Sequence, residues 1–256
     1  MAGHALAALF ENLTPRVLVD GLVSTEGPLW HPDGTLYFAA GGPRQLWRLP
    51  PRGRPEVALD NAVSGTTFDL DGRIVICDGS ARRVVRWTPG SDEVEVLAER
   101  FEGERFSRPN DVVCRSDGSL YFTDPGMRIP LQQRELLYPG VYRIHPDGAI
   151  SLIADCEFPN GLAFSPDETV LYVANSRWTP YLHALHLDAA GVMTRRRIFA
   201  DMAADRAPLR PPARDAQGVP DGLAVDEADG CTARVQAASG SSSRTGRSMA
   251  SCRSPR

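Results

Sequence analysis

The 256-residue chain is long enough for one large β domain or two ordinary ones, and 42% hydrophobic content is enough to bury a sizeable core. Its formal net charge of −4 averages two unlike parts: residues 231–256 hold five arginines and no acid, while the rest holds 23 bases against 32 acids, a net of −9. An acidic body argues against nucleic acid and suits a bound cation, and 23 glycines with 21 prolines favour short strands and tight turns over long helices.

Residues Met1 to Phe10 are apolar but lack the basic start and small-residue cleavage site of a signal peptide, and nothing later approaches a membrane span. Cys77 and Cys114 fall within predicted strands and Cys156 near the end of another, with no metal-knuckle spacing. The expectation is a cytoplasmic monomer with buried free thiols and no membrane or nucleic-acid partner.

In chain order, one pattern recurs: an Asp-Gly turn followed by a run of β-formers. Pro32-Asp33-Gly34 precedes Leu36-Tyr37-Phe38, Asp71-Gly72 precedes Ile74-Val75-Ile76, and Asp117-Gly118 precedes Leu120-Tyr121-Phe122. Pro166-Asp167-Glu168 before Val170 to Val173 is a fourth copy without the glycine. A second apolar strand follows each (Leu46–Leu49, Val84–Trp87, Val141–Ile144, Leu182–Leu187), then a third (Glu56–Leu59, Glu93–Leu97, Ala149–Ile153, Thr194–Phe199). Four short antiparallel strands per repeat of about 40 to 50 residues is the period of a β-propeller blade. The plainer alternative is an unrepeated β-sandwich or barrel.

Seven residues before the turn aspartate stand Glu26, Ser64, Asn110 and Asn160 in successive repeats, and a fifth partial repeat places Asp221 at the same point, since Val219-Pro220-Asp221-Gly222-Leu223 matches Phe158-Pro159-Asn160-Gly161-Leu162. Equivalent positions of successive blades lie on one ring about the propeller axis, so these side chains are expected to converge at one mouth of the channel. Two carboxylates and two carboxamides form an all-oxygen set suited to a hard cation, Ca2+ first, with Mg2+, Mn2+ or Zn2+ as alternatives. Asn or Asp before Gly is also an ordinary turn pair, but the common offset and the presence of Glu26 weigh for a shared site.

His183 and His186, three apart on a strand, point to opposite faces and do not form a metal pair. His31-Pro-Asp-Gly and His145-Pro-Asp-Gly are hairpin turns. The chain has no phosphate-binding glycine loop and no Gly-x-Ser-x-Gly elbow.

Thr25-Glu26-Gly27-Pro28-Leu29-Trp30, Arg108-Pro109-Asn110-Asp111-Val112, Tyr121-Phe122-Thr123-Asp124-Pro125, Pro159-Asn160-Gly161-Leu162-Ala163-Phe164-Ser165 and Pro220-Asp221-Gly222-Leu223 together resemble the gluconolactonase family, which includes regucalcin (senescence marker protein). The resemblance covers about residues 15 to 230. It implies a six-bladed propeller with one divalent cation, held by Glu26, Asn160 and Asp221. It further implies Arg108, Asn110 and Asp124 as substrate-binding residues and hydrolysis of a sugar lactone such as gluconolactone with Asp221 as general base. The alternatives are a non-catalytic calcium-binding propeller and a propeller esterase or organophosphate hydrolase.

The sequence departs from that pattern near its end. Four full blades and the first strand of a fifth can be counted over 1–230, where six blades need about 270 to 300 residues. Residues 231–256 are a Ser/Arg-rich tail expected to be disordered, and a reading-frame shift near residue 230 would account for it. The expected fold is therefore an incomplete six-bladed propeller, with a closing strand near 16–19 that lacks its partners.

Overall fold

The computed structural model describes residues 17–41, 45–61, 63–126, 129–177, 179–202 and 219–226, together with the backbone of strands at 231–236 and 248–252. These residues form two compact units, one over 17–159 and the other from Asn160 onward. Both are built from antiparallel β-sheet, and the one helical element among the described residues is a three-residue 3-10 turn, Leu131–Gln133.

The first unit holds three four-stranded sheets in sequential order: β1 (Glu26–Trp30) to β4 (Glu56–Leu59), β5 (Thr66–Phe68) to β8 (Val94–Ala98), and β11 (Val112–Cys114) to β14 (Ile150–Asp155). The second holds β15 (Pro159–Phe164) to β18 (Met193–Asp201) and a three-stranded sheet, β19 (Val219–Val225), β20 (Cys231–Gln236) and β21 (Ser248–Cys252). Each four-stranded meander is the blade unit of a propeller, and the strands begin within a residue or two of where the sequence predicts. Strands β20 and β21 fall within 231–256, where composition predicts none. No strand forms at Val17 to Val19, the site expected for a closing strand.

The Asp-Gly turns form as read. Asp33, Asp117 and Asp147 each accept a hydrogen bond from the backbone N–H two residues on, at 2.7, 2.9 and 3.0 Å. Gly34, Gly72, Gly118 and Gly148 follow with φ of 88°, 78°, 84° and 85°, a region closed to most side chains. In the fourth repeat Glu168 takes that conformation at φ 55°, at a cost of about 1 kcal/mol.

Packing explains why the second strand of a repeat is a continuous apolar run. All of β6 (Ile74–Asp78) is buried. Ile74 and Ile76 pack with Tyr37, Ala39, Leu46, Val85 and Trp87, whereas Val75 and Cys77 pack with Phe106, Val112, Phe122 and Tyr142. Side chains alternate across a strand, so β6 lies between two neighbouring sheets and neither face meets water. The outer strand β8, with Glu95 and Val96 exposed, has a mixed sequence to match. In the second unit Tyr172, Ala174, Leu182 and Ala184 pack against Leu223 and Val225 of β19.

The short hairpin of β9 (Arg100–Phe101) and β10 (Glu104–Arg105) has no counterpart in the repeat pattern and turns at Glu102 and Gly103 with φ of 52° and 90°. Cys77 and Cys156 are buried free thiols as expected, and Cys114 is half-buried. No described helix is long and apolar enough to cross a membrane.

Candidate functional site

The residues singled out by the repeat offset stand at the start of, or just before, the first strand of each sheet. In the first unit these strands lie side by side, β5 next to both β1 and β11, and glycine makes that approach possible. A Cβ on Gly27, which follows Glu26, would come within 2.6 Å of the Ser64 carbonyl oxygen, and one on Gly65, which follows Ser64, within 2.6 Å of Asp111 Cα. Gly65 N–H donates to the Asn110 carbonyl at 2.7 Å, and Thr66 Oγ1 donates to the Gly27 carbonyl at 3.1 Å. Glu26, Ser64 and Asn110 thus follow one another along three adjacent strands.

Arg108 and Asn110 sit on the loop entering β11, and Asp124 anchors that loop. Asp124 ends β12 (Leu120–Asp124) and is 1% exposed. Its Oδ2 accepts the Ser107 N–H and its Oδ1 the Arg108 N–H, both at 2.6 Å. Both oxygens are engaged by the backbone beneath Arg108, so its observed place is that of a support. The family resemblance groups Asp124 with the substrate-binding residues Arg108 and Asn110, and a shared motif does not separate a pocket wall from the girder behind it. The stem of Arg108 runs over Gly79, where a Cβ would meet Arg108 Cγ at 2.8 Å.

Burial pushes the Asp124 carboxyl up from the usual aspartate value, against the opposing pull of the Arg108, Ser107 and Gly126 amides and the Arg82 charge. The folded chain then holds this proton more tightly than the unfolded one. The stability contributed here is full below the unfolded pKa and declines as pH rises through the folded value. In urea melts between about pH 4 and pH 7, Asp124→Asn is expected to remove this decline. At pH 7 it should also cost about 1–3 kcal/mol, since its amide NH2 would face a backbone donor. A variant with the wild-type pH slope would show that Asp124 does not titrate in this range. Cys77 lies near the same cluster, and its thiol is pushed far up by burial and then by Asp111, Asp124 and Asp78, which makes it an inert packing group.

In the second unit the structure brings Asn160 and Asp221 onto neighbouring strands. A Cβ on Gly161 would lie 2.3 Å from the Asp221 carbonyl oxygen and 2.7 Å from Gly222 Cα. Asn160 Nδ2 donates to Ser176 Oγ at 2.9 Å, and Ser176 Oγ donates to the Pro220 carbonyl. Neither Gly79, Ser107 nor Ser176 was singled out from the sequence; Ser176 follows the second strand of its repeat, outside the offset that defines the ring.

Among the described residues no three His, Cys, Asp or Glu side chains gather as a metal-holding group. The donors named from the sequence include amides, and their oxygen chemistry fits a hard cation. The hydrogen bond to Ser176 commits the nitrogen of Asn160 and turns its carbonyl oxygen away from Ser176, as a cation ligand requires. Glu26 belongs to the first unit and Asn160 and Asp221 to the second. His183 and His186 bond Arg196 and Arg197 at 3.1 and 3.2 Å, on opposite faces of their sheet. Residues 205–217 lie outside the described residues, as do Met127 and Arg128.

Known proteins are similar to this chain in sequence and fold. The gluconolactonase of Zymomonas mobilis is 31% identical over 87% of this chain and 67% of its own length. The structure of a gluconolactonase from Xanthomonas campestris superposes with a TM-score of 0.70 at 32% identity, covering 82% of this chain and 69% of that one. Regucalcin of Agrobacterium tumefaciens, described as a calcium-binding protein, superposes with a TM-score of 0.64 at 22% identity over 84% of this chain and 68% of that one, a likeness of fold. A family model of the SMP-30/Gluconolactonase/LRE-like region matches residues 24–245, past the point where strand repeats are legible in the sequence, and the chain therefore belongs to the SMP-30/Gluconolactonase/LRE-like family.

Proposed function

We propose that this chain hydrolyses a sugar lactone, an aldonolactone such as gluconolactone, to the open acid with the help of one divalent cation, Ca2+ first. What chiefly supports this reading is the 31% identity to a gluconolactonase across 87% of the chain. Also in its favour is the presence of Glu26, Asn160 and Asp221 in the first strands of three repeats, with Arg108 and Asn110 on one anchored loop. The fold proposed is a six-bladed propeller of which this chain carries four four-stranded blades and part of a fifth.

Glu26, Asn160 and Asp221 would hold the cation. When bound, it would draw electron density from the lactone carbonyl oxygen and stabilise the negative charge that develops there. The water oxygen bonds to the lactone carbonyl carbon as Asp221 takes its proton, the bond from that carbon to the ring oxygen breaks, and Asp221 returns the proton to the ring oxygen, which leaves as a hydroxyl. Arg108 and Asn110 bind the sugar hydroxyls, and Asp124 keeps their loop in place.

The test is release of acid from glucono-1,5-lactone by the purified chain, before and after a chelator and after Ca2+, Mg2+, Mn2+ or Zn2+ is restored. Hydrolysis lost with chelator and regained with cation is the expected result. Cation binding without hydrolysis of any aldonolactone or simple ester would favour the calcium-binding alternative that the regucalcin likeness raises. Hydrolysis indifferent to chelator would overturn the role of the cation.

A further inference from the structure

Ser176 makes two hydrogen bonds whose directions can be deduced from chemistry alone. The Pro220 carbonyl can only accept, so the bond between it and Ser176 must use the hydroxyl proton. A hydroxyl has one proton. Toward Asn160, therefore, Ser176 Oγ can only accept, and the Asn160 atom facing it at 2.9 Å must be the nitrogen. An amide turned by 180° would set two acceptors against each other inside a site where Ser176 is 2% exposed, with about 1–3 kcal/mol as the cost of one unmet buried group. The proton of Ser176 thus selects one of two amide orientations that are otherwise nearly equal in shape.

The same hydroxyl also reaches the residue before Asp221. Pro220 is buried, and its carbonyl is the group through which Ser176 holds the strand at the point where Asp221 leaves it. Gly161 brings the two strands together from the other side, with Asp221 and Gly222 backbone against its Cα. Asn160 and Asp221 come from different sheets, and Ser176 is bonded to the side chain of one and to the backbone adjoining the other.

We infer that Ser176 is a positioning residue for cation binding: it orients the Asn160 amide so that oxygen rather than nitrogen is presented as a ligand. This rests on the reading of Asn160 and Asp221 as cation ligands. Groups that orient a metal ligand without touching the metal typically carry about 10- to 100-fold in affinity.

The experiment is a calorimetric titration of the full chain with Mn2+ and with Ca2+, alongside thermal melts. Ser176→Ala is expected to weaken cation binding at least about tenfold. Ser176→Thr, which keeps the hydroxyl, should stay near wild type, and Ser176→Val, which matches Thr in shape without it, should behave as Ala; this pair decides the matter if the Ala variant does not fold. In an Asn160→Asp background both ends of the side chain are oxygen, so adding Ser176→Ala should change affinity by less than about twofold, and a merely structural serine would not show this rescue. Equal losses in the two backgrounds, or wild-type affinity in a folded Ser176→Val chain, would overturn the positioning role while leaving the cation site intact. A wild-type chain that binds neither ion would overturn the cation reading itself, and the role of Ser176 with it.

Discussion

Asp221→Asn is expected to lower lactone hydrolysis by about 10²- to 10⁴-fold, the range associated with loss of a general base. Asparagine preserves the size of the side chain and one oxygen for a cation, but its amide does not take up a proton near neutral pH. Cation affinity should therefore fall far less than kcat. This split separates two roles that one carboxylate can hold, because a ligand that is not a base would show the reverse. Hydrolysis within about threefold of wild type would remove Asp221 from proton transfer and leave it an orienting ligand. Asp221 is half-buried in β19 beside the backbone of Gly161, so the substitution adds no volume to a packed region.

The largest effect on stability is expected from a single methyl group at Gly161. An added Cβ would stand 2.3 Å from the Asp221 carbonyl oxygen and 2.7 Å from Gly222 Cα. Both are backbone atoms of a paired strand and cannot swing aside as a side chain can. Gly161→Ala must separate β15 from β19, for a cost of about 1–3 kcal/mol or more, and it should impair activity as well because Asp221 moves with its strand. Gly222→Ala is the internal comparison: nothing among the described residues lies within 4 Å of its Cβ position, so the reduced freedom of the unfolded chain should make it neutral or more stable by about 0.4–1 kcal/mol. Urea unfolding of the two variants should give opposite signs. Equal midpoints would mean that the first strands of neighbouring sheets do not approach as closely as Gly161 indicates.

The glycines show what a repeat offset can and cannot reveal. Gly27, Gly65, Gly161 and Gly222 each follow a residue of the ring series, and read alone Gly161 and Gly222 are half of a common turn pair. In the folded chain Gly27, Gly65 and Gly161 are points of contact between sheets, a relation across 37 to 60 positions that local pattern does not carry. Asp124 shows the same limit from the other side. Its motif, Tyr121-Phe122-Thr123-Asp124-Pro125, is conspicuous, yet whether a carboxylate faces a pocket or bonds the Ser107 and Arg108 amides depends on where a loop sixteen residues earlier comes to rest.

The strand pattern was determined by the sequence, because alternation and turn chemistry are local: Asp33, Asp117 and Asp147 close their own turns, and the runs at Ile74–Asp78 and Leu120–Asp124 are apolar enough to demand burial on both faces. The placement of Glu26, Asn160 and Asp221 at the beginnings of first strands was legible for a related reason: a fixed offset from a turn marks Glu26 and Asn160, and the match of Val219–Leu223 to Phe158–Leu162 marks Asp221. Tertiary structure alone decided which groups support them. Ser176 has no motif, and its meaning comes from one hydroxyl that accepts from a side chain sixteen residues before it and donates to a carbonyl forty-four residues after it. Such bonds form only when separate sheets pack, and hydrogen-bond direction inside a buried site depends on every neighbour at once.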